Sequence, residues 1–140
     1  MFPLILDSKK LVDNWSSYEG YVNEATISKD ELLEHIELGA NLSETSVRGY
    51  NFMYLAAFNG WQEAVEKLNK ADETLKNAQA NDVVTPLMYA AAGKKTGIVR
   101  YLLEQGANPR IVNKDGWNIL HYSCYYGDLQ GNHLFILTYP

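Results

Sequence analysis

Gly49-Tyr50-Asn51-Phe52-Met53-Tyr54-Leu55-Ala56-Ala57-Phe58-Asn59-Gly60 returns, 67 residues later, as Gly116-Trp117-Asn118-Ile119-Leu120-His121-Tyr122-Ser123-Cys124-Tyr125-Tyr126-Gly127. Glycine, aromatic, Asn, apolar pairs, small pairs and glycine recur in the same order. Thr85-Pro86-Leu87-Met88-Tyr89-Ala90-Ala91 lies between the two, 34 residues after the first copy and 33 before the second. Gly39-Ala40-Asn41 returns as Gly106-Ala107-Asn108 at the same 67-residue spacing. A period in the thirties marks units that cannot bury their apolar faces alone and must stack on their neighbours.

Local chemistry gives each unit its shape. The Thr85 hydroxyl suits a helix N-cap, where it accepts from an orphan backbone N–H, and Asn51 and Asn118 serve the same role in the other units. Pro86 fits the first helical position, where no N–H bond is lost. The small pairs Ala56-Ala57, Ala90-Ala91 and Ser123-Cys124 let helices approach closely. A second helix follows, clearest as Ile98-Val99-Arg100-Tyr101-Leu102-Leu103, and Gly106 supplies the left-handed residue that ends it. Ala107 to Trp117 is long enough for an extended connection turning at Asp115-Gly116.

Thr85-Pro86-Leu87, Ala90-Ala91, Ile98-Val99, Leu102-Leu103 and Gly106-Ala107-Asn108 together closely resemble the ankyrin repeat. Gly60, Glu63, Val65 and Leu68 fit the same pattern in the preceding unit, and Asp115-Gly116, Leu120-His121 and Gly127 fit it in the following one. The resemblance covers about Ser28 to Ile136. It implies an all-α solenoid of stacked helix-turn-helix units with hairpin-like connections. The expected layout is a capping helix region over 1–27 and repeats over 28–140: degenerate at 28–46, full at 47–79 and 80–112, truncated at 113–140. Three departures are specific. Lys94 replaces the glycine between two helices, Val83 replaces the turn glycine before Thr85, and Asp72-Glu73 stands where Gly-Ala is expected, with one extra residue near Gln79. The first predicts a strained or reshaped turn and the second an irregular hairpin tip.

A stack needs ends that shield its apolar faces. Leu11, Trp15, Tyr18 and Val22 recur at helical spacing, and Ser28-Lys29-Asp30-Glu31 reads as a capping box with Ile27 and Leu32 as the staple. The helix from Lys29 to Leu38 ends at Gly39. At the other end, Gly131-Asn132 interrupts the helical pattern, and Leu134 to Tyr139 runs apolar. Two expectations follow: the chain is a fragment or shortened form of a longer repeat protein, or that tail docks on a partner or a second copy.

Composition narrows the partners. Of 140 residues, 46% are apolar and 21% charged, the balance of a globular domain. A net charge of −5 argues against a nucleic-acid surface and against docking to anionic lipid. No stretch approaches the roughly 20 apolar residues of a membrane span. A single cysteine, Cys124, forms no internal disulfide and points to a reducing, intracellular setting, cytoplasmic or nuclear. The Asn-x-Ser triplets at Asn14 and Asn41 are read as chance matches.

No catalytic or cofactor-binding motif emerges. Cys124 is expected to be a buried small residue. The resemblance implies that His121 bonds backbone structurally across the repeat. The pair lacks an oxyanion site and a third orienting group. His35, His121 and His133 lack metal-ligand spacing, and the glycines form no phosphate loop. Lys94-Lys95 reads as exposed turn charges, and Glu31, Glu34 and Glu37 as a solvated helix face. Trp15 and Trp61 read as core or stack-end packing.

The resemblance implies that a partner meets the hairpin tips and the inner faces of the first helices. Those places map to Arg48, Tyr50, Phe58, Asn59, Asp82, Val84, Ala92, Lys114, Trp117, Tyr125 and Tyr126. The aromatics stand out, since Tyr and Trp give large contact area at low entropic cost. The expected function is a non-enzymatic adaptor or scaffold binding another protein by its concave face. The alternatives are a regulatory segment of a larger enzyme or channel and a microbial effector engaging host proteins.

Overall fold

A computed structural model describes residues 28–45 and 48–126. The stripe from Leu11 to Val22, Ile27 of the staple and the tail from Leu134 to Tyr139 lie outside the described residues. Among those described, the helices are α1 (Lys29–Glu37), α2 (Phe52–Asn59), α3 (Gln62–Ala71), α4 (Pro86–Ala92), α5 (Thr96–Glu104) and α6 (Ile119–Tyr125). A 3-10 helix, Glu73–Asn77, follows α3.

The caps form as their side chains dictate. Ser28 Oγ accepts from Glu31 N at 3.1 Å while Glu31 Oε1 accepts from Ser28 N at 2.9 Å, a reciprocal capping box. Asn51 Oδ1 accepts from Met53 N at 2.8 Å, Thr85 Oγ1 from Met88 N at 3.3 Å, and Asn118 Oδ1 from Leu120 N at 3.0 Å. Pro86 occupies the first turn of α4.

The helices pack in two rows. α2 touches α4 and α4 touches α6, while α1 touches α3 and α3 touches α5. Helices α2 and α4 are apolar nearly all round, because each is covered on several sides; Phe52 to Ala57 and Pro86 to Ala91 are all buried. Helices α3 and α5 are amphipathic. They bury Val65, Leu68, Ile98, Val99, Leu102 and Leu103 and leave Glu63, Glu66, Lys70, Arg100 and Glu104 in water. Each fully buried aliphatic side chain contributes about 1.5–3 kcal/mol.

Tight tips join the units. Ala80 N donates to Val84 O at 3.0 Å and Asn113 N to Trp117 O at 2.8 Å, closing equivalent hairpin-like turns. Successive tips are linked in turn: Asn81 N donates to Arg48 O at 2.9 Å and Lys114 N to Asp82 O at 3.0 Å. The turn position holds Gly49 at φ 89°, Val83 at φ 65° and Gly116 at φ 82°. The Val83 substitution is therefore absorbed as backbone strain, since a β-branched residue disfavours the left-handed region. The same holds at the helix ends. Trp61 N donates to Ala56 O, Lys95 N to Ala90 O and Ala107 N to Leu102 O, the long-range bond of the Schellman motif. Its left-handed residue is Gly60, Lys94 and Gly106 respectively.

The third departure reshapes the chain. Asp72 is extended at φ −154°, and its Oδ1 accepts from Thr74 N at 3.0 Å to open the 3-10 helix. That helix carries the buried Lys76, whose Nζ donates to Asn69 Oδ1 at 3.0 Å and Glu73 O at 2.8 Å. Asn69 Nδ2 donates in turn toward Gln105 Oε1 at 3.3 Å, tying the outer row together.

Two expectations are corrected. Cys124 is exposed, because it lies on the flank of α6 away from α4, where none of the described helices packs. Ser123 takes the buried place instead. His121 is also exposed, and its Nδ1 accepts from Asn118 N at 3.1 Å, within its own helix cap rather than across a repeat.

Candidate functional site on the concave face

The tips and the first-row helices enclose one recess of about 300 Å³. Tyr50, Phe58, Asp82, Val84, Ala92 and Tyr126, six of the residues assigned from sequence, line it together with Tyr89 and Tyr122. Tyr89 and Tyr122 occupy the same position of α4 and α6, 33 residues apart, and sequence reasoning missed both. The recurrence of an aromatic at one helical position was the signal that could have found them.

Packing fixes the recess. Tyr54 is fully buried beneath it; its hydroxyl donates to Val84 O at 2.6 Å and lies 3.0 Å from Ala78 O. The Tyr50 ring meets Tyr54 at 5.0 Å and Tyr89 at 5.4 Å between centroids, and Phe58 meets Tyr89 edge-on at 5.9 Å. On the opposite wall Tyr122 and Tyr126 stack at 6.2 Å, and the Tyr122 hydroxyl accepts from Asn113 Nδ2 at 2.8 Å. Asp82 sits at the tip, half-buried, its Oδ1 accepting from Val84 N at 3.2 Å. Burial holds the Tyr50, Tyr89 and Tyr122 hydroxyls above the usual phenol range, and the Asp82 charge pushes each the same way.

The remaining assignments separate. Tyr50 and Val84, expected as exposed contacts, are only 4% and 5% exposed, the Tyr50 ring lying against Tyr54 and Tyr89; they form floor rather than rim. Asn59 turns back on its own helix, Nδ2 donating to Leu55 O at 3.0 Å. Arg48 and Lys114 are exposed at the tips. Trp117 and Tyr125, with rings 5.1 Å apart, lie outside the recess and line a shallow apolar surface with Leu120, His121 and Cys124. One repeat earlier the equivalents of those last three, Leu87, Met88 and Ala91, are buried. Their equivalents in the preceding units, Tyr50 and Val84 for Trp117 and Phe58 and Ala92 for Tyr125, line the recess, so Trp117 and Tyr125 hold the same register one unit further along the stack.

Trp61 packs half-buried against the core, and Glu31, Glu34 and Glu37 face water. Among the described residues, no group of three or more His, Cys, Asp or Glu side chains is placed to hold a metal ion. Among the same residues, no helix is long and apolar enough to cross a membrane.

The family described as Ankyrin repeats (3 copies) matches residues 23–111 and 53–137. Among curated proteins, the chain is similar to the phosphocholine transferase AnkX of Legionella pneumophila subsp. pneumophila, 34% identical over 61 residues. That alignment takes in 44% of this chain and 6% of the transferase's length.

Proposed function

We propose, from the premise that this chain belongs to the ankyrin-repeat family, that it is a non-enzymatic intracellular adaptor holding a protein partner against its concave face. Ankyrin repeats are protein-interaction modules, and fold alone does not name the partner. One observation carries the surface assignment: six residues from three successive units converge on a single aromatic recess. A partner seated there would contact Tyr126 and the Phe58 edge, with Arg48 and Lys114 at the rim. Solvated aromatics flanking a buried aromatic floor are the usual make-up of a binding hot spot.

A second reading is favoured by the similarity to part of a transferase: the repeats are the partner-binding segment of a larger enzyme. In that reading they choose the enzyme's target and perform no chemistry themselves.

The test compares two triple variants in quantitative affinity purification. Tyr126→Ala with Arg48→Ala and Lys114→Ala alters the concave rim; Lys70→Ala with Arg100→Ala and Glu104→Ala alters the outer row. All six residues are exposed, so both variants are expected to fold. The rim variant is expected to lose about tenfold or more of specific partner binding, the equivalent of about 1.4 kcal/mol. The outer variant is expected to retain it. Equal behaviour of the two would remove the concave assignment.

A further inference from the structure

We propose that the concave recess is built to accept an arginine side chain of the partner polypeptide; this rests on the reading that the concave face binds protein. The lining is aromatic: Tyr50 in the floor, Phe58 and Tyr89 on one side, Tyr122 and Tyr126 on the other. At the tip between them stands one carboxylate, Asp82. Among the described residues the lining contains no lysine or arginine. Arg48 is outside the lining, exposed at the rim.

This combination selects among ligands. Aromatic faces attract a cation through their quadrupoles, most strongly where water is displaced. A neutral apolar side chain would take water from the Asp82 carboxylate and add no donor to the bond it accepts from Val84 N–H. An anion would meet the carboxylate's charge. A quaternary ammonium would enjoy the rings but has no proton to give the carboxylate. A lysine ammonium can donate, but it is compact and strongly hydrated. The guanidinium fits both features: its flat faces stack on Tyr and Phe, and its edge offers paired N–H donors to a carboxylate. Val84 N–H already uses Asp82 Oδ1, at 3.2 Å, and the Tyr50 hydroxyl bonds the same carboxylate. A carboxylate has about four acceptor sites, so capacity remains for a guanidinium edge. A recess of about 300 Å³ has room for the head and part of the stem.

The experiment is a titration of the isotopically labelled full chain, followed by two-dimensional NMR. The probe is N-acetyl-arginine amide, with N-acetyl-citrulline amide as its uncharged counterpart of equal shape and N-acetyl-trimethyllysine amide as the quaternary competitor. Arginine is expected to give saturable shifts at the amides of Tyr50, Val84 and Tyr126, and citrulline to bind about tenfold more weakly. Asp82→Asn keeps an oxygen for the Val84 N–H, so it is expected to leave the spectrum folded while weakening arginine about tenfold. Tyr126→Ala, at an exposed ring, provides a second variant that folds and is expected to weaken arginine too. Citrulline binding as well as arginine, no saturable shift with arginine, or tighter binding of trimethyllysine would each overturn the proposal. If the rim variant loses partners but arginine gives no shifts, only this inference fails. If rim and outer variants bind alike, the concave reading itself fails.

Discussion

Phe52→Ala is expected to lower the unfolding free energy by about 3–5 kcal/mol, the range for deleting a fully buried aromatic ring. Phe52 is 0% exposed and opens α2, with its ring meeting His35 of α1 edge-on at 5.5 Å. The substitution removes the ring's transfer energy and leaves a cavity where the first two units meet. In a stacked array each unit is held mainly by its neighbours, so the damage falls first on that junction. A domain of this size is stable by about 5–15 kcal/mol in total, so the loss is a large part of the whole. Urea denaturation followed by far-ultraviolet circular dichroism measures it. A loss below about 1 kcal/mol, less than a buried ring should cost, would mean that Phe52 does not fill the junction.

Gly93→Ala and Gly97→Ala are expected to act in opposite directions. Gly93 has an ordinary φ of −84°, so backbone freedom is not the reason for glycine there. The reason is close approach: a Cβ on Gly93 would stand 2.4 Å from the Phe58 carbonyl oxygen. That oxygen is backbone at the end of α2 and cannot rotate away, so α2 and α4 must separate. Overpacking of this kind costs about 1–3 kcal/mol. Because Phe58 and Ala92 line the recess, the same shift is expected to weaken partner binding. At Gly97, in the first turn of α5, the nearest atom to an added Cβ is Gln62 Oε1 at 3.9 Å. Alanine there gains helix propensity of up to about 1 kcal/mol. Thermal unfolding of the two variants checks the pair, and a Gly93→Ala protein as stable as the parent would refute the close contact.

The two changes separate what was legible in the sequence from what was not. The caps at Ser28, Asn51, Thr85 and Asn118 were readable because capping is local chemistry. The turn residues were readable by position, but their outcome was not. Val83 and Lys94 keep the left-handed geometry of their glycine counterparts, whereas Asp72 gives it up for a 3-10 helix. Whether a replaced glycine strains or reshapes a turn depends on how many tertiary bonds hold it, and sequence does not list those.

The recess was half legible. Asp82 and Val84 follow from the hairpin tip, and Phe58 and Ala92 from helix phase. Tyr89 and Tyr122 were missed because a tyrosine at a packing position looks like core until its exposed edge is seen. Trp117 and Tyr125 share the repeat register of the lining residues Val84 and Ala92, yet line a separate surface that meets the recess at Tyr122. Cys124 reads as buried because its counterparts are small, and those counterparts, Ala57 and Ala91, are both 0% exposed.

Site-specific photo-crosslinking shows which face of the stack meets the partner. A photoreactive phenylalanine analogue replaces Tyr126 at the recess in one chain and Arg100 on the outer row in another, each incubated with purified partner. Crosslinks to the partner are expected from position 126 and none from position 100. Crosslinks from position 100 with none from position 126 would place the partner on the opposite face and contradict the concave assignment.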